Sequence, residues 1–357
     1  MKSVPRSVLL VSYPMLPVSD ASCGGAEQML WVLERELANR GVKTAVAACD
    51  ESCVTGELIA TGTAPEQSDA FDCRAVEHNR KIEQTLRRRS FDIVHDKSGF
   101  WWENAGPSSA PVLATLHLPR SFYPERLFRS IPANVFFNCV SESQAQRFRD
   151  LPRFAGVAPN GIVVERFPFT RRKQDYVLWL GRICPEKAPH LAIDAAKRAC
   201  VPLVLAGQVY PFEWHRQYFD REIRPRLDHA GPNVKWVERP SFEKKVELIR
   251  NARAMLLSTQ APETSSLVAM EATACGTPVI AFANGAIPEI VRHGVTGFLV
   301  KNWKDMADAI ADVEQLCPED GRAMAEQEFS SRRMADGYCR LYAEITDEAE
   351  ECWKLAA

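Results

Sequence analysis

Residues 263–290 read ETSSLVAMEATACGTPVIAFANGAIPEI and follow the apolar run Ala254–Ser258. The run has the length of a buried strand, Ser266–Cys275 is apolar almost all round at helical length, and Pro278–Phe282 is apolar again. Strand, helix, strand over about 30 residues is the repeating unit of a parallel sheet, where ligands gather at the carboxyl ends of the strands.

Seven residues stand between the two carboxylates of this unit, Glu263 and Glu271. With Thr264 or Ser265 as helix cap, the backbone N–H groups of Ser266, Leu267 and Val268 form a positive pole suited to a phosphate. Glu271 then lies about 7 Å along the axis, roughly the distance from a diphosphate to the ribose of the same nucleotide. The plain alternative is a loop acid and a solvent-facing helix acid. Leu267, Val268, Met270, Ala272 and Ala274 surround Glu271 with apolar positions, so a glutamate there needs a partner.

The same rhythm fills the rest of the second half, with strands at Tyr176–Leu180, Pro202–Ala206 and Val234–Val237 and helices at Glu186–Ala199 and Phe242–Asn251. The first half repeats it, with strands at Ser7–Ser12, Thr44–Ala48, Asp92–His95, Val112–His117 and Val135–Ser141, and helices at Ala26–Arg40 and Glu77–Arg89. A polar, proline-interrupted stretch at Glu165–Asp175 reads as the linker. The expected fold is α/β: two Rossmann-like doubly wound domains, residues 1–168 and 169–333, facing an interdomain cleft. From Asp305 onward no strand is read, and Met334, Tyr338, Leu341, Tyr342 and Ile345 form one helical stripe.

Composition agrees with two ordinary cores: 357 residues, 46% hydrophobic and 25% charged. The net charge of -2 and the isolated run Arg87-Arg88-Arg89 offer no surface for a phosphate polymer, so no nucleic acid partner is expected. Eleven cysteines without a CxxC pair or zinc-type histidine spacing read as reduced thiols of a cytoplasmic chain, with no metal. No run approaches the roughly 20 apolar residues of a transmembrane segment.

Arg182 follows the strand Tyr176–Leu180 and Lys187 opens the next helix; together they can clamp a diphosphate without a metal, or be ordinary surface cations. No Asp-x-Asp motif is present. Gly24-Gly25 lets the backbone approach a ligand, or makes a plain turn; the segment is neither GxGxxG nor a Walker loop. His95 and His117 each close a strand, where a neutral imidazole can bond a sugar hydroxyl or serve structure alone. Trp101, Arg120 and Tyr123 in the adjoining loops suit sugar faces and anions, or packing.

Gly24-Gly25-Ala26-Glu27, His117, Ser141-Glu142, Asn160-Gly161, Gly181-Arg182 with Lys187, and the segment from Glu263 to Phe298 occur in an order and spacing that resembles the retaining glycosyltransferases of family 4. The resemblance implies a GT-B fold and a nucleotide-sugar donor, with a UDP-sugar favoured, held mainly by the second domain. It implies a small-molecule, glycan or lipid-linked acceptor held by the first, and a C-terminal helix, about 334–357, packing back onto that domain. Residue by residue, it assigns Arg182 and Lys187 to the diphosphate, Glu271 to the ribose, and Glu263 and His117 to the reacting sugar. Gly24, Gly25, Arg239, Ser265, Ser266, Leu267 and Val268 complete the donor contacts, and His95, Lys97, Trp101, Arg120 and Tyr123 are the acceptor candidates. No cofactor is implied, and the setting is cytoplasmic or peripheral at the inner membrane face.

Departures from the family pattern are Thr264-Ser265-Ser266 in place of Pro-Phe-Gly, Glu238 in place of glycine, and Asp96-Lys97 where a second histidine often stands. A GT-B sugar-nucleotide epimerase and a non-catalytic nucleotide-sugar-binding subunit are the alternative readings.

Overall fold

Two all-parallel sheets organise the chain in a computed structural model that describes residues 5–22, 24–65, 71–106 and 110–356. The first sheet contains β1 (Ser7–Val11), β2 (Lys43–Ala48), β3 (Glu57–Ala60), β4 (Ile93–Asp96), β5 (Val112–Leu116), β6 (Val135–Cys139) and β7 (Phe154–Val157), in the order β3-β2-β1-β4-β5-β6-β7. The second contains β8 (Val177–Leu180), β9 (Leu203–Ala206), β10 (Val234–Val237), β11 (Ala254–Leu257), β12 (Val279–Phe282) and β13 (Gly297–Val300), in the order β10-β9-β8-β11-β12-β13. Each order reverses once, between β1 and β4 and between β8 and β11, and such a switch point is where loops part to leave room for a ligand.

Alternation along each strand splits the second unit into two cores, one on either face of its sheet. Leu178, Met255, Val279 and Ala281 pack with the helices on one side. Val177, Trp179, Leu205, Leu256 and Ile280 pack on the other. The first unit buries β5 and β6 along their whole length.

The units comprise residues 1–161 with 331–357, and residues 162–330. The divide therefore falls before 168/169, because Ile162 donates its N–H to the Phe329 carbonyl at 2.7 Å and Val164 and Phe167 lie in the second unit's core. The helix Ser331–Ala356 belongs to the first unit, with all five residues of the expected stripe buried. Its Tyr338 hydroxyl accepts from Lys97 Nζ at 3.0 Å, and its Tyr342 hydroxyl lies 2.6 Å from His95 Nδ1.

One expected helix starts late. Ala188 adopts a left-handed φ of 47° and Pro189 takes the first helical position, so the helix runs Pro189–Arg198 and leaves 181–188 as a loop. Among the described residues no helix is long and apolar enough to cross a membrane, and the nine described cysteines are free thiols.

His78 in the first unit is buried, its Nδ1 2.8 Å from Thr61 Oγ1, which itself donates to the Ala48 carbonyl at 2.9 Å. Burial, then the Arg74 cation, lower its pKa from 6.5 to about 4. The unfolded chain binds the proton more tightly, so this contribution to stability is complete above pH 6.5 and is lost as pH falls toward 4, by at most about 3 kcal/mol. A His78→Asn variant is expected to lose less thermal stability than the parent over that interval, as read by circular dichroism melts at stepped pH.

Candidate functional site

In the second unit the loops after β8 and β11 meet at the switch point. Ser258 Oγ accepts from Trp179 Nε1 at 3.2 Å and reaches the Ala188 and Lys187 carbonyls at 2.8 and 3.2 Å, while the Gln260 N–H donates to the Glu186 carbonyl at 2.8 Å. The loops are thereby stitched together, and Lys187 Nζ forms an ion pair with Glu263 Oε1; the Glu263 side chain is 12% exposed. Arg182, on the same loop, is exposed, with its guanidinium 5.5 Å from the centre of the Tyr210 ring.

Glu263 is set from a third side by the loop after β12. Gly285 has φ 57°, and a Cβ there would lie 2.2 Å from the Glu263 carbonyl oxygen. Ala286 donates its N–H to that oxygen at 2.8 Å. Only glycine permits this approach.

The helix that follows runs Leu267–Ala274 with Ser266 as its N-cap, and the Ser266 side chain makes no capping bond. The cap is thus one or two residues later than Thr264 or Ser265, and the first-turn amides are those of Leu267, Val268 and Ala269 rather than of Ser266. Ser265 Oγ is buried without a hydrogen-bond partner. One turn on, Glu271 is 3% exposed; its Oε1 accepts from Lys245 Nζ at 2.7 Å, and its Oε2 is buried and unpaired. Lys245 lies near the Phe167 and Phe242 rings, 5.6 and 5.1 Å from their centres. The pairing resolves how a glutamate is tolerated in an apolar helix, and it leaves one carboxylate oxygen for a further donor. Arg239 is exposed after β10, with φ 49°.

In the first unit, the carboxyl ends of β1, β4 and β5 carry the remaining candidates. Gly24 caps the helix Gly25–Asn39, and a Cβ on it would lie 1.9 Å from Glu27 Oε2. Gly25 is exposed at the first turn. His117 follows β5: its backbone N–H donates to the Tyr123 hydroxyl at 3.1 Å, and its ring Nε2 is shielded from solvent although the residue is partly exposed. Burial, then the Lys97 ammonium, hold its pKa well below 6.5, so the ring is neutral at pH 7.

Four of the five acceptor candidates, His95, Lys97, Trp101 and Tyr123, are buried. His95 is fully buried, with Nδ1 facing Tyr342 and Nε2 2.7 Å from Thr115 Oγ1, so both ring nitrogens are occupied. Thr115 donates onward to Asn138 Oδ1 at 2.7 Å, which extends the buried network to β6. Lys97, Trp101 and Tyr123 are 1%, 2% and 4% exposed, and Trp101 and Tyr123 belong to the unit's hydrophobic core, so their side chains form no surface for a substrate. Arg120 is half-buried, 4.4 Å from the centre of the Phe128 ring and 3.4 Å from Asp150 Oδ1.

The comparisons with known proteins fit this arrangement. A family described as glycosyl transferases group 1 matches residues 164–328, and one described as glycosyltransferase family 4 matches residues 23–166. A D-inositol 3-phosphate glycosyltransferase of Mycolicibacterium smegmatis is 32% identical, covering 95% of this chain and 91% of its own length. The chain belongs to glycosyltransferase family 4. A second relative of the same name from Mycolicibacterium vanbaalenii is 28% identical over 87% of this chain and 82% of its own. Two solved structures share the fold. Sucrose-phosphate synthase from Thermosynechococcus elongatus has a TM-score of 0.78 at 18% identity, covering 96% of this chain and 100% of that one. A glycosyltransferase involved in avilamycin A biosynthesis has a TM-score of 0.72 at 23% identity, covering 96% and 98%. This family 4 glycosyltransferase is therefore an enzyme of GT-B fold.

The structure brings Arg182, Lys187, Glu263, Ser265 and Ser266 to one switch point, with Glu271 on the helix that leaves it. Sequence reading missed Lys245, which no motif marks, and the backbone support from Gly285 and Ala286. Replacing Gly285 by alanine is expected to weaken substrate binding at Glu263 by about tenfold, given about 1–3 kcal/mol of backbone strain. Calorimetry on the folded variant checks this.

Proposed function

We propose that the enzyme transfers a hexose from a nucleoside-diphosphate sugar, with a UDP-sugar favoured, to an acceptor hydroxyl with retention and without a metal at the diphosphate. The observation that carries the reading is the buried, unpaired Oε2 of Glu271, set one turn from a helix N-terminus beside Lys187 and Glu263. A ribose hydroxyl supplies the donor this oxygen lacks, and the helix pole with Arg182 and Lys187 supplies fixed positive charge for the diphosphate. A solved Anabaena protein of TM-score 0.75 was obtained in complex with UDP and glucose, which supports a uridine donor.

Charge develops on the departing diphosphate, and donors already aimed there stabilise it without reorganisation. The acceptor hydroxyl attacks on the face the diphosphate is leaving, and a phosphate oxygen takes the proton. Glu263, already paired with Lys187, binds a donor-sugar hydroxyl as carboxylate. His117 offers a neutral imidazole to a sugar hydroxyl, because burial and Lys97 keep its ring uncharged.

Titration of the purified enzyme with UDP-, GDP-, ADP- and dTDP-hexoses, with and without added Mg²⁺, tests the reading. One nucleotide class is expected to bind equally well in both conditions. Glu271→Ala is expected to weaken it about 10–100-fold, the worth of a charge-assisted hydrogen bond of about 1.5–3 kcal/mol. Binding that requires Mg²⁺, or a variant that binds as the parent does, overturns the assignment. His117→Ala is expected to lower kcat by about a hundredfold or more while leaving nucleotide affinity unchanged, measured by product formation and UDP release.

A further inference from the structure

The loop between β8 and the helix Pro189–Arg198 carries a second cluster that the transfer reaction does not use. Cys184 and Glu186 lie on this loop, and His215 lies on the short helix Glu213–Tyr218. One ligating atom from each falls within 4.8 Å of the others. Cys184 and His215 are fully buried. Both ring nitrogens of His215 and the Oε2 atom of Glu186 are buried without hydrogen-bond partners.

We propose that Cys184, Glu186 and His215 form a binding site for one Zn²⁺ ion that fixes the loop carrying Arg182 and Lys187. A thiolate, an imidazole and a carboxylate are the donor types that zinc accepts, and a tetrahedral ion holds its ligand atoms about 3.5 Å apart, so a small contraction closes the cluster. Three protein ligands leave the fourth position to water. The spacing rules for zinc motifs pass over this set because Cys184 and His215 come from separate segments.

A hydrogen-bonded cluster without metal accounts poorly for the imidazole. His215 is enclosed by Trp214 and Phe212, with ring centres at 3.9 and 5.2 Å, and neither of its nitrogens finds a protein partner. Cys184 Sγ lies 3.5 Å from the Arg182 carbonyl oxygen. On binding, the thiol proton passes to solvent and the sulfur turns from that carbonyl to the ion. The loop is then joined to the helix Glu213–Tyr218 by coordination in place of packing alone. The ion sits behind Arg182 and Lys187 as a brace for the donor loop, and it is distinct from a metal on the diphosphate.

The test uses the full-length enzyme, freed of metal by chelator and dialysis, and titrated without nucleotide with Zn²⁺ against a chromophoric chelator and with Co²⁺ in an absorption cell. One ion per chain and a thiolate-to-cobalt charge-transfer band are expected. Cys184→Ser is expected to abolish the band, and His215→Ala to weaken Zn²⁺ binding by about a hundredfold or more, beyond the about 10–100-fold of an outer-shell change. Circular dichroism checks that each variant is folded, and Glu186→Gln, the gentlest change, is expected to weaken binding in the same direction. Absence of stoichiometric binding by the parent, or a band and affinity unchanged in Cys184→Ser and His215→Ala, overturns the proposal. Because no nucleotide is present, that failure leaves the reading of the donor site untouched, and failure of donor binding leaves the metal site untouched.

Discussion

The pair formed by Lys187 and Glu263 is the constraint on which the second unit's chemistry depends. It stands where the strand order of that sheet reverses, and it joins the loop that carries Arg182 to the loop that leads into the helix Leu267–Ala274. Each charge is partly withdrawn from water, so removing one partner leaves the other short of compensation. The Ser258 hydroxyl and the Gln260 amide repeat the same join through the backbone, and Gly285 admits a third loop against Glu263. Three segments distant in sequence therefore fix one carboxylate. A transferase that relies on positioning needs its groups held before the substrate arrives.

How far this was legible in the sequence depends on where a residue's partner lies. The central strands are buried on both faces and read as continuous apolar runs, so β1, β5, β8 and β12 stand out. The strands that escaped notice, β3, β7 and β13, all lie at sheet edges, where pairing on one side only goes with partial burial and a weaker pattern. β7 also contains Gly156 at φ 122°. Within the second unit, local signals located the backbone: a strand followed by a helix put Glu263 in the loop and Glu271 on the helix. The cap itself was misplaced because Thr264, Ser265 and Ser266 are all good capping types, and only the backbone path decides among them. Lys245 was invisible because its role exists only through a contact between two helices.

Four of the five acceptor candidates are buried for a physical reason that the sequence does not encode. His95, Lys97, Trp101 and Tyr123 are residue types common in sugar sites, and they do lie near the carboxyl ends of β4 and β5. Their side chains turn inward: the helix Ser331–Ala356 supplies two tyrosine hydroxyls to His95 and Lys97, and Trp101 and Tyr123 pack into the core. The buried Lys97 cation in turn helps to keep the His95 and His117 rings uncharged.

That arrangement bears on how the molecule is made. Residues 162–330 form a self-contained unit, whereas residues 1–161 are completed by a helix encoded after it. Lys97 and His95 take partners 241 and 247 residues further along the chain, on the far side of the whole second unit. The buried polar network of the first unit is thus closed only by residues encoded after the second unit.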